Sequence, residues 1–278
     1  MVDTQKETER LLEDASHRQA GECYARTIEA LISGGKNELA SNNPMLSDLT
    51  KNAQIALERQ QIKFVSGKYS AKRLLESSFP KERIVGLEGA TLENPSTGIV
   101  LVRIPRRALE KLHPGARAVA VFSNSHIPFV LIADYDDKQI TQIEDEENLP
   151  HEVHHIVWRA GRANELIGAT EEDPERKRLF LSFINEVVAT MVSNGKLHGH
   201  CQGMELTDEL IEANELLSEI DEQLKRTDYK KTDLIIPLLE AKNMKELVTV
   251  LGKIKSELKN IAKPEAVPTN GGWTSISV

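Results

Sequence analysis

The chain has 278 residues, 40% hydrophobic and 28% charged, which suffices for one large domain or two small ones. A formal net charge of −8, with no basic cluster interleaved with aromatic residues, argues against a nucleic-acid-binding protein. The two cysteines, Cys23 and Cys201, are too few for a disulfide framework or a cysteine-rich zinc module. Two free thiols are the simpler interpretation, with a single bridge as the alternative.

The N-terminal stretch is polar and charged and lacks the apolar core of a signal peptide. The longest apolar runs, such as Phe129 to Ala133, are far too short to cross a bilayer. We therefore expect a cytoplasmic protein without a membrane segment, and export without a cleaved signal stays an alternative.

The first third of the chain reads as helical. Apolar residues at helical spacing predict a helix from about Thr4 to Ser33, which Gly34-Gly35 ends. A second helix is predicted from about Leu46 to Phe64. A third covers Ala71 to Ser78 and ends before Pro80.

The middle of the chain predicts a small sheet, between about residues 84 and 143. β-Branched residues predict strands at Gly98–Ile104, Ala118–Phe122 and Pro128–Asp134, and Lys138–Ile143 is a candidate fourth strand. A short helix is predicted at Arg106–Leu112.

Helical periodicity returns after Pro150. The predicted helices are His151–Ile167, Asp173–Ser193, Glu205–Arg226, Leu234–Ala241 and Met244–Ala262. Helices, then strands, then helices, without a βαβ alternation, predict an α+β fold with a small mixed sheet in a mostly helical frame.

The segment that carries chemistry is the motif H-E-x-x-H at His151, Glu152 and His155. Histidines four residues apart lie on one face of a helix, so both imidazoles can reach one zinc ion. The intervening Glu152 can then act as general base towards a zinc-activated water. Pro150 suits the first turn of this helix, and the acidic run Glu144–Glu147 suits a solvated entry on its N-terminal side.

A catalytic zinc needs a third protein ligand. The helix around Glu186 is nearly all apolar, and a carboxylate inside such a helix is costly unless it is paired or bound to metal. We therefore expect Glu186 to be the third ligand. Glu165 is the alternative, and it would serve only if the preceding helix broke near Gly161.

The pair HEVHH and INEVVAT resembles the gluzincin branch of the zincin metallopeptidases, over roughly residues 98 to 192. The resemblance implies a Glu third ligand on a second helix, often preceded by Asn, as Asn185 precedes Glu186 here. It also implies an upstream edge strand that aligns the peptide substrate. The chain departs from the pattern in its longer spacing before Glu186 and in having Thr190 where the family has an Asp.

Three further histidines have weaker interpretations. His154 is expected to be a packing or partly exposed residue. His198 and His200 are low-ranked candidates to stabilise the oxyanion of a tetrahedral intermediate, and Tyr229 is a weaker one.

The sequence thus predicts a zinc metallopeptidase that acts on peptides or proteins, with Zn²⁺ as its cofactor. We divide the chain into an N-terminal helical region (1–80), a zincin-like catalytic core (81–200), a C-terminal helical region (201–265) and an irregular tail (266–278). The alternatives are a non-catalytic metal-binding or helical assembly protein and an enzyme that hydrolyses another amide. The sequence leaves the oligomeric state open.

Overall fold

A computed structural model describes residues 26–29, 43–67, 69–84, 90–93, 99–122, 127–193, 195–199 and 207–261. These residues form a mostly helical protein with a small mixed sheet, so the predicted α+β class is confirmed. The predicted helix Thr4–Ser33 lies outside the described residues except for the helical residues 26–29, and the tail 266–278 lies wholly outside them.

The α-helices are α1 Pro44–Ser66, α2 Ala71–Ser78, α3 Arg106–Leu112, α4 Lys138–Ala160, α5 Ala163–Ile167, α6 Pro174–Val192, α7 Asp208–Leu224, α8 Ile235–Glu240 and α9 Met244–Ile261. The strands are β1 Thr91–Glu93, β2 Val100–Pro105, β3 Ala118–Val121 and β4 Phe129–Asp134. Short 3₁₀ helices occupy Lys81–Arg83 and Lys231–Leu234. Helices α2 and α3 have the predicted bounds, whereas the short β1 was not predicted.

Three predictions about α4 are wrong, and one concerns its end: the helix predicted to reach Ile167 ends at Ala160, and Ala163–Ile167 is the separate helix α5. Lys138–Ile143 is not a strand but the first turns of α4, which begins after the N-cap Asp137, whose carboxylate accepts the N–H groups of Gln139 and Ile140. Pro150 therefore lies inside the helix rather than in its first turn. Because proline has no backbone N–H, the helix lacks one main-chain hydrogen bond at this position.

The acidic run before the motif is solvated only in part, with Glu146 and Glu147 exposed. Asp145 is buried and forms a two-pronged ion pair with Arg103 of β2, with N–O distances of 3.1 and 2.5 Å. Glu144 pairs with Arg117 beside β3 at 2.7 Å. Both pairs connect the first half of α4 to residues of the sheet or beside it.

The four strands lie in the order β1-β2-β4-β3. Strands β2 and β4 are parallel, and β1 and β3 pair antiparallel with their neighbours. Strand β3 is therefore an edge strand, and one of its sides carries backbone groups that no described strand pairs.

The sheet separates two apolar cores because successive side chains point to opposite faces. One face, which includes Leu101, Val130 and Ile132, packs in the core shared by α1, α4, α6, α7 and α9. The other face, which includes Val102 and Leu131, packs against α2 and α3. Helix α4 thus lies across the first face, against β3 and β4 and between α1 and α6. Among the described helices, none is both long enough and apolar enough to cross a membrane.

Candidate metal centre

Helix α4 presents two imidazoles to one side. His151 and His155 are one turn apart, and their rings meet edge to face with centroids 4.7 Å apart. The same helix buries Val153, Ile156 and Val157 in the core, which fixes the direction in which the two histidines point. The side chains of His151 and His155 are 22% and 10% exposed, so the pair is open to solvent on one side.

Helix α6 supplies the carboxylate. It begins after the N-cap Asp173, whose side chain accepts two backbone N–H groups, and Pro174 occupies its first position. Its apolar residues, Phe180, Phe183 and Val187 among them, are buried. Glu186 stands on the remaining side, 23% exposed, and faces α4.

The donor atoms of His151, His155 and Glu186 lie close enough together to share one metal ion. The Nε2 atoms of His151 and His155 are 3.1 Å apart, and they lie 3.3 and 3.4 Å from the two carboxylate oxygens of Glu186. Two ligand atoms about 2.05 Å from one ion at the tetrahedral angle are about 3.3 Å from each other. The two histidine nitrogens lie near this separation, and each faces a different oxygen of Glu186, so the three residues could hold one metal ion. Within the described part of the chain, this is the one group of three or more candidate ligands whose donor atoms all lie within 4.8 Å of one another.

The charges around the pair favour a cation. Burial lowers the pKa of His151, but the hydrogen bond to Glu186 and the charges of Glu152 and Glu186 raise it by more. The net pKa of His151 is above its ordinary value. The carboxylates thus attract positive charge to this place, whether a proton or a metal ion supplies it.

Asn185 orients one of the histidines. Its Oδ1 lies 3.2 Å from Nδ1 of His155 and accepts a hydrogen bond from that nitrogen. Nδ1 then carries the proton, and the lone pair of Nε2 points to His151 and Glu186. This is the role that an outer partner has at a metal-ligating histidine.

Glu152 reaches the edge strand. Its Oε2 accepts a hydrogen bond of 2.6 Å from the backbone N–H of Ala120, on the outer side of β3. The carboxylate therefore lies between the two histidines' helix and the strand edge, which is where an extended peptide would pair with β3.

Other sequence candidates lie away from this cluster. Glu165 follows the end of α4, is exposed and pairs with Arg162, so the structure does not bring it to the histidines. Thr190 is buried and donates its hydroxyl to the carbonyl of Val187 within α6. It takes no part in orienting a histidine in the way an Asp would.

The structure also places the weaker candidates His154, His198 and Tyr229. His154 is fully buried against Trp158, at 5.4 Å between centroids, and is a packing residue. Burial, with the positive charge of its neighbours His155 and His151, lowers its pKa well below the ordinary value. His198 is exposed after α6, and no contact with the cluster is recorded for it among the described residues. His200 lies outside the described residues, and Tyr229 is half exposed.

Two functional contacts were not predicted from the sequence. The hydrogen bond from His155 to Asn185 had a signal, since Asn185 directly precedes Glu186 on the same helix. The bond from Ala120 to Glu152 had none, because it depends on how the sheet packs against α4.

A scan of family models and searches of curated proteins and of solved structures return no match to this chain.

Proposed function

We propose that the chain is a zinc-dependent peptidase with a zincin-like core of the gluzincin type. His151, His155 and Glu186 would hold the ion, and Glu152 would be the general base. The observation that carries the proposal is the convergence of the three side chains, since one donor atom from each of His151, His155 and Glu186 lies within 4.8 Å of the other two.

The edge strand supports a peptide as substrate. Strand β3 borders the site, and its outward N–H at Ala120 is bonded to Glu152, so a peptide that pairs here would take over this donor and release the carboxylate. An extended peptide that pairs with this edge would place one of its carbonyl groups beside Glu152 and the histidines. The site is partly exposed, so such a chain has access to it.

The chemistry follows from the residues at the site. His151, His155 and Glu186 would hold the ion, which when bound would acidify a water and polarise the carbonyl. Glu152 accepts a proton from the water whose oxygen attacks the carbonyl carbon. It then donates a proton to the amine nitrogen as the carbon–nitrogen bond breaks, and two peptides leave. His151 faces Glu186 across the site, and Asn185 holds the ring of His155 in its orientation.

A non-catalytic function is the second candidate. The observation in its favour is the hydrogen bond from Ala120 to Glu152, since this carboxylate would also serve as an anchor between α4 and β3. In that case the metal would stabilise the packing of α4 on α6, and the long α7 and α9 would serve assembly. Hydrolysis of an amide other than a peptide would use the same residues as the peptidase.

Peptide hydrolysis by the zinc-loaded protein separates these functions. We expect the wild type to cleave members of an unstructured peptide library, and Glu152→Gln to lose activity about 10²–10⁴-fold while keeping zinc. Glu165→Gln is the matched control, because Glu165 is an exposed acid that pairs with Arg162 away from the site. Activity retained in Glu152→Gln, or lost equally in Glu165→Gln, would contradict the assignment of the base.

A further inference from the structure

A cavity of about 310 Å³ adjoins the edge strand and α4. Its lining consists of Ala56, Gln60, Phe122, Pro128, Ile156, Arg159 and Ala160. Five of these side chains are apolar. The cavity is formed by four separate parts of the fold: helix α1, the residue after β3, the residue before β4 and the last turns of α4.

The cavity begins one turn beyond the general base. Ile156 is four residues after Glu152, and Arg159 is seven residues after it, so both lie towards the side of α4 that Glu152 occupies. With a rise of 1.5 Å per residue, Arg159 is about 10 Å along the helix from Glu152.

The edge strand β3 also ends at this cavity. Phe122 follows Ala120 by two residues, so it lies about 7 Å further along the strand direction. A peptide paired with β3 would therefore reach the cavity two or three residues from the bond beside Glu152. Antiparallel pairing is the more stable arrangement. Since β3 runs from Ala118 towards Phe122, the peptide residues at the Phe122 end would precede the scissile bond.

The lining indicates what kind of side chain the cavity accepts. Ile156 is buried and Phe122 is partly exposed, so an apolar group inserted here would remove further apolar surface from water. The guanidinium of Arg159 lies over the ring of Phe122, 4.4 Å from its centroid. Arg159 is exposed, and water screens an exposed ion pair, so a charge on the substrate would contribute less than the apolar contact.

One polar group at the cavity lacks a partner. The side-chain oxygen of Gln60 is buried, and no hydrogen bond to it is present within the described residues. A hydrogen-bond donor of an inserted group, such as a tyrosine hydroxyl or an indole N–H, would satisfy it.

We propose that this cavity is a specificity subsite for a large apolar side chain, aromatic above all, two or three residues before the scissile bond. The inference rests on the proposed function, since it names the substrate class of the same site. Phe122, Ile156 and Arg159 would then contact the selected side chain. The small side chain of Ala56 leaves the space that an aromatic ring would occupy.

Cleavage-site profiling with a filled cavity tests the proposal. The zinc-loaded wild type is incubated with a peptide library, and the products are sequenced by mass spectrometry. We expect Phe, Tyr, Trp or Leu at the second or third position before the cut to be favoured over Ala by at least roughly tenfold. Ala56→Phe, which fills the cavity from α1, should reduce the preference below about threefold. Ile55→Phe, at the neighbouring exposed position outside the cavity, should keep it.

The outcomes separate the two proposals. Cleavage without this preference, or a preference unchanged in Ala56→Phe, would overturn the subsite and leave the peptidase intact. If the wild type cleaves nothing, the proposed function fails. Binding of fluorescent Phe- and Ala-containing peptides to zinc-loaded Glu152→Gln protein then decides the subsite: Phe-dependent binding that Ala56→Phe removes supports it, and the lack of such binding overturns it. Should Ala56→Phe not fold, Ala160→Leu fills the same cavity from α4.

Discussion

Removal of the Asn185 amide tests whether helix α6 orients His155 in addition to supplying Glu186 as a ligand. The Oδ1 of Asn185 accepts the Nδ1 proton of His155 at 3.2 Å, which holds the Nε2 lone pair towards Glu186. In Asn185→Ala the ring can turn and change tautomer, and each lost outer partner of a metal-bound histidine lowers metal affinity about 10–100-fold. This corresponds to about 1.4–2.7 kcal/mol of binding free energy.

The assay is a zinc titration against a chelating indicator. Thr190→Ala is the matched control, because Thr190 lies one turn further along the same helix and its hydroxyl bonds only to the carbonyl of Val187. We expect Thr190→Ala to bind zinc within about threefold of the wild type. A dissociation constant for Asn185→Ala equal to that of the wild type would refute the reasoning, provided that circular dichroism shows both variants folded.

Three further predictions concern the frame of the site. Asp145→Ala removes the two-pronged ion pair from the nearly buried Arg103, so it should lower the free energy of urea unfolding by about 3–5 kcal/mol, and a loss below about 1 kcal/mol would contradict the anchoring of α4. In His154→Phe an apolar ring replaces a buried imidazole whose nitrogens form no hydrogen bond of normal geometry, although the nearby Asn185 side chain raises its pKa against the effect of burial. The change should alter stability by less than about 1 kcal/mol and leave zinc binding intact. Burial, together with the charge of Arg83, lowers the pKa of His113, so its contribution to stability is present above its unfolded pKa and is lost as the pH falls towards the folded pKa. His113→Gln should therefore lose less stability than the wild type between about pH 7.5 and pH 5.5, and parallel pH profiles would count against the argument.

The two metal-site helices show what the sequence predicts well. The spacing of His151 and His155 is a local property of a helix. The sequence around Glu186 is apolar, and a carboxylate in such a helix is costly unless it is paired or bound to a metal. Both inferences need only helical periodicity. The structure brings the three side chains together because α4 and α6 pack in one core.

The start of α4 shows what the sequence predicts poorly. Ile140, Thr141 and Ile143 are β-branched residues, which are common in strands, and Pro150 is a common first residue of a helix. Both signals are local, whereas the helix is held by ion pairs to arginines that are 27 and 42 residues away in the chain. The cavity and the bond from Ala120 to Glu152 depend on the same long-range packing, so no local pattern predicts them.

The central claim is tested most directly by the zinc content of purified protein. Mass spectrometry should find one zinc per chain in the wild type and in Glu152→Gln, and none in Glu186→Ala. Such a result would support a three-ligand site with a separate base. A wild type that takes up no zinc when it is supplied, or a Glu186→Ala variant that retains it, would contradict the account.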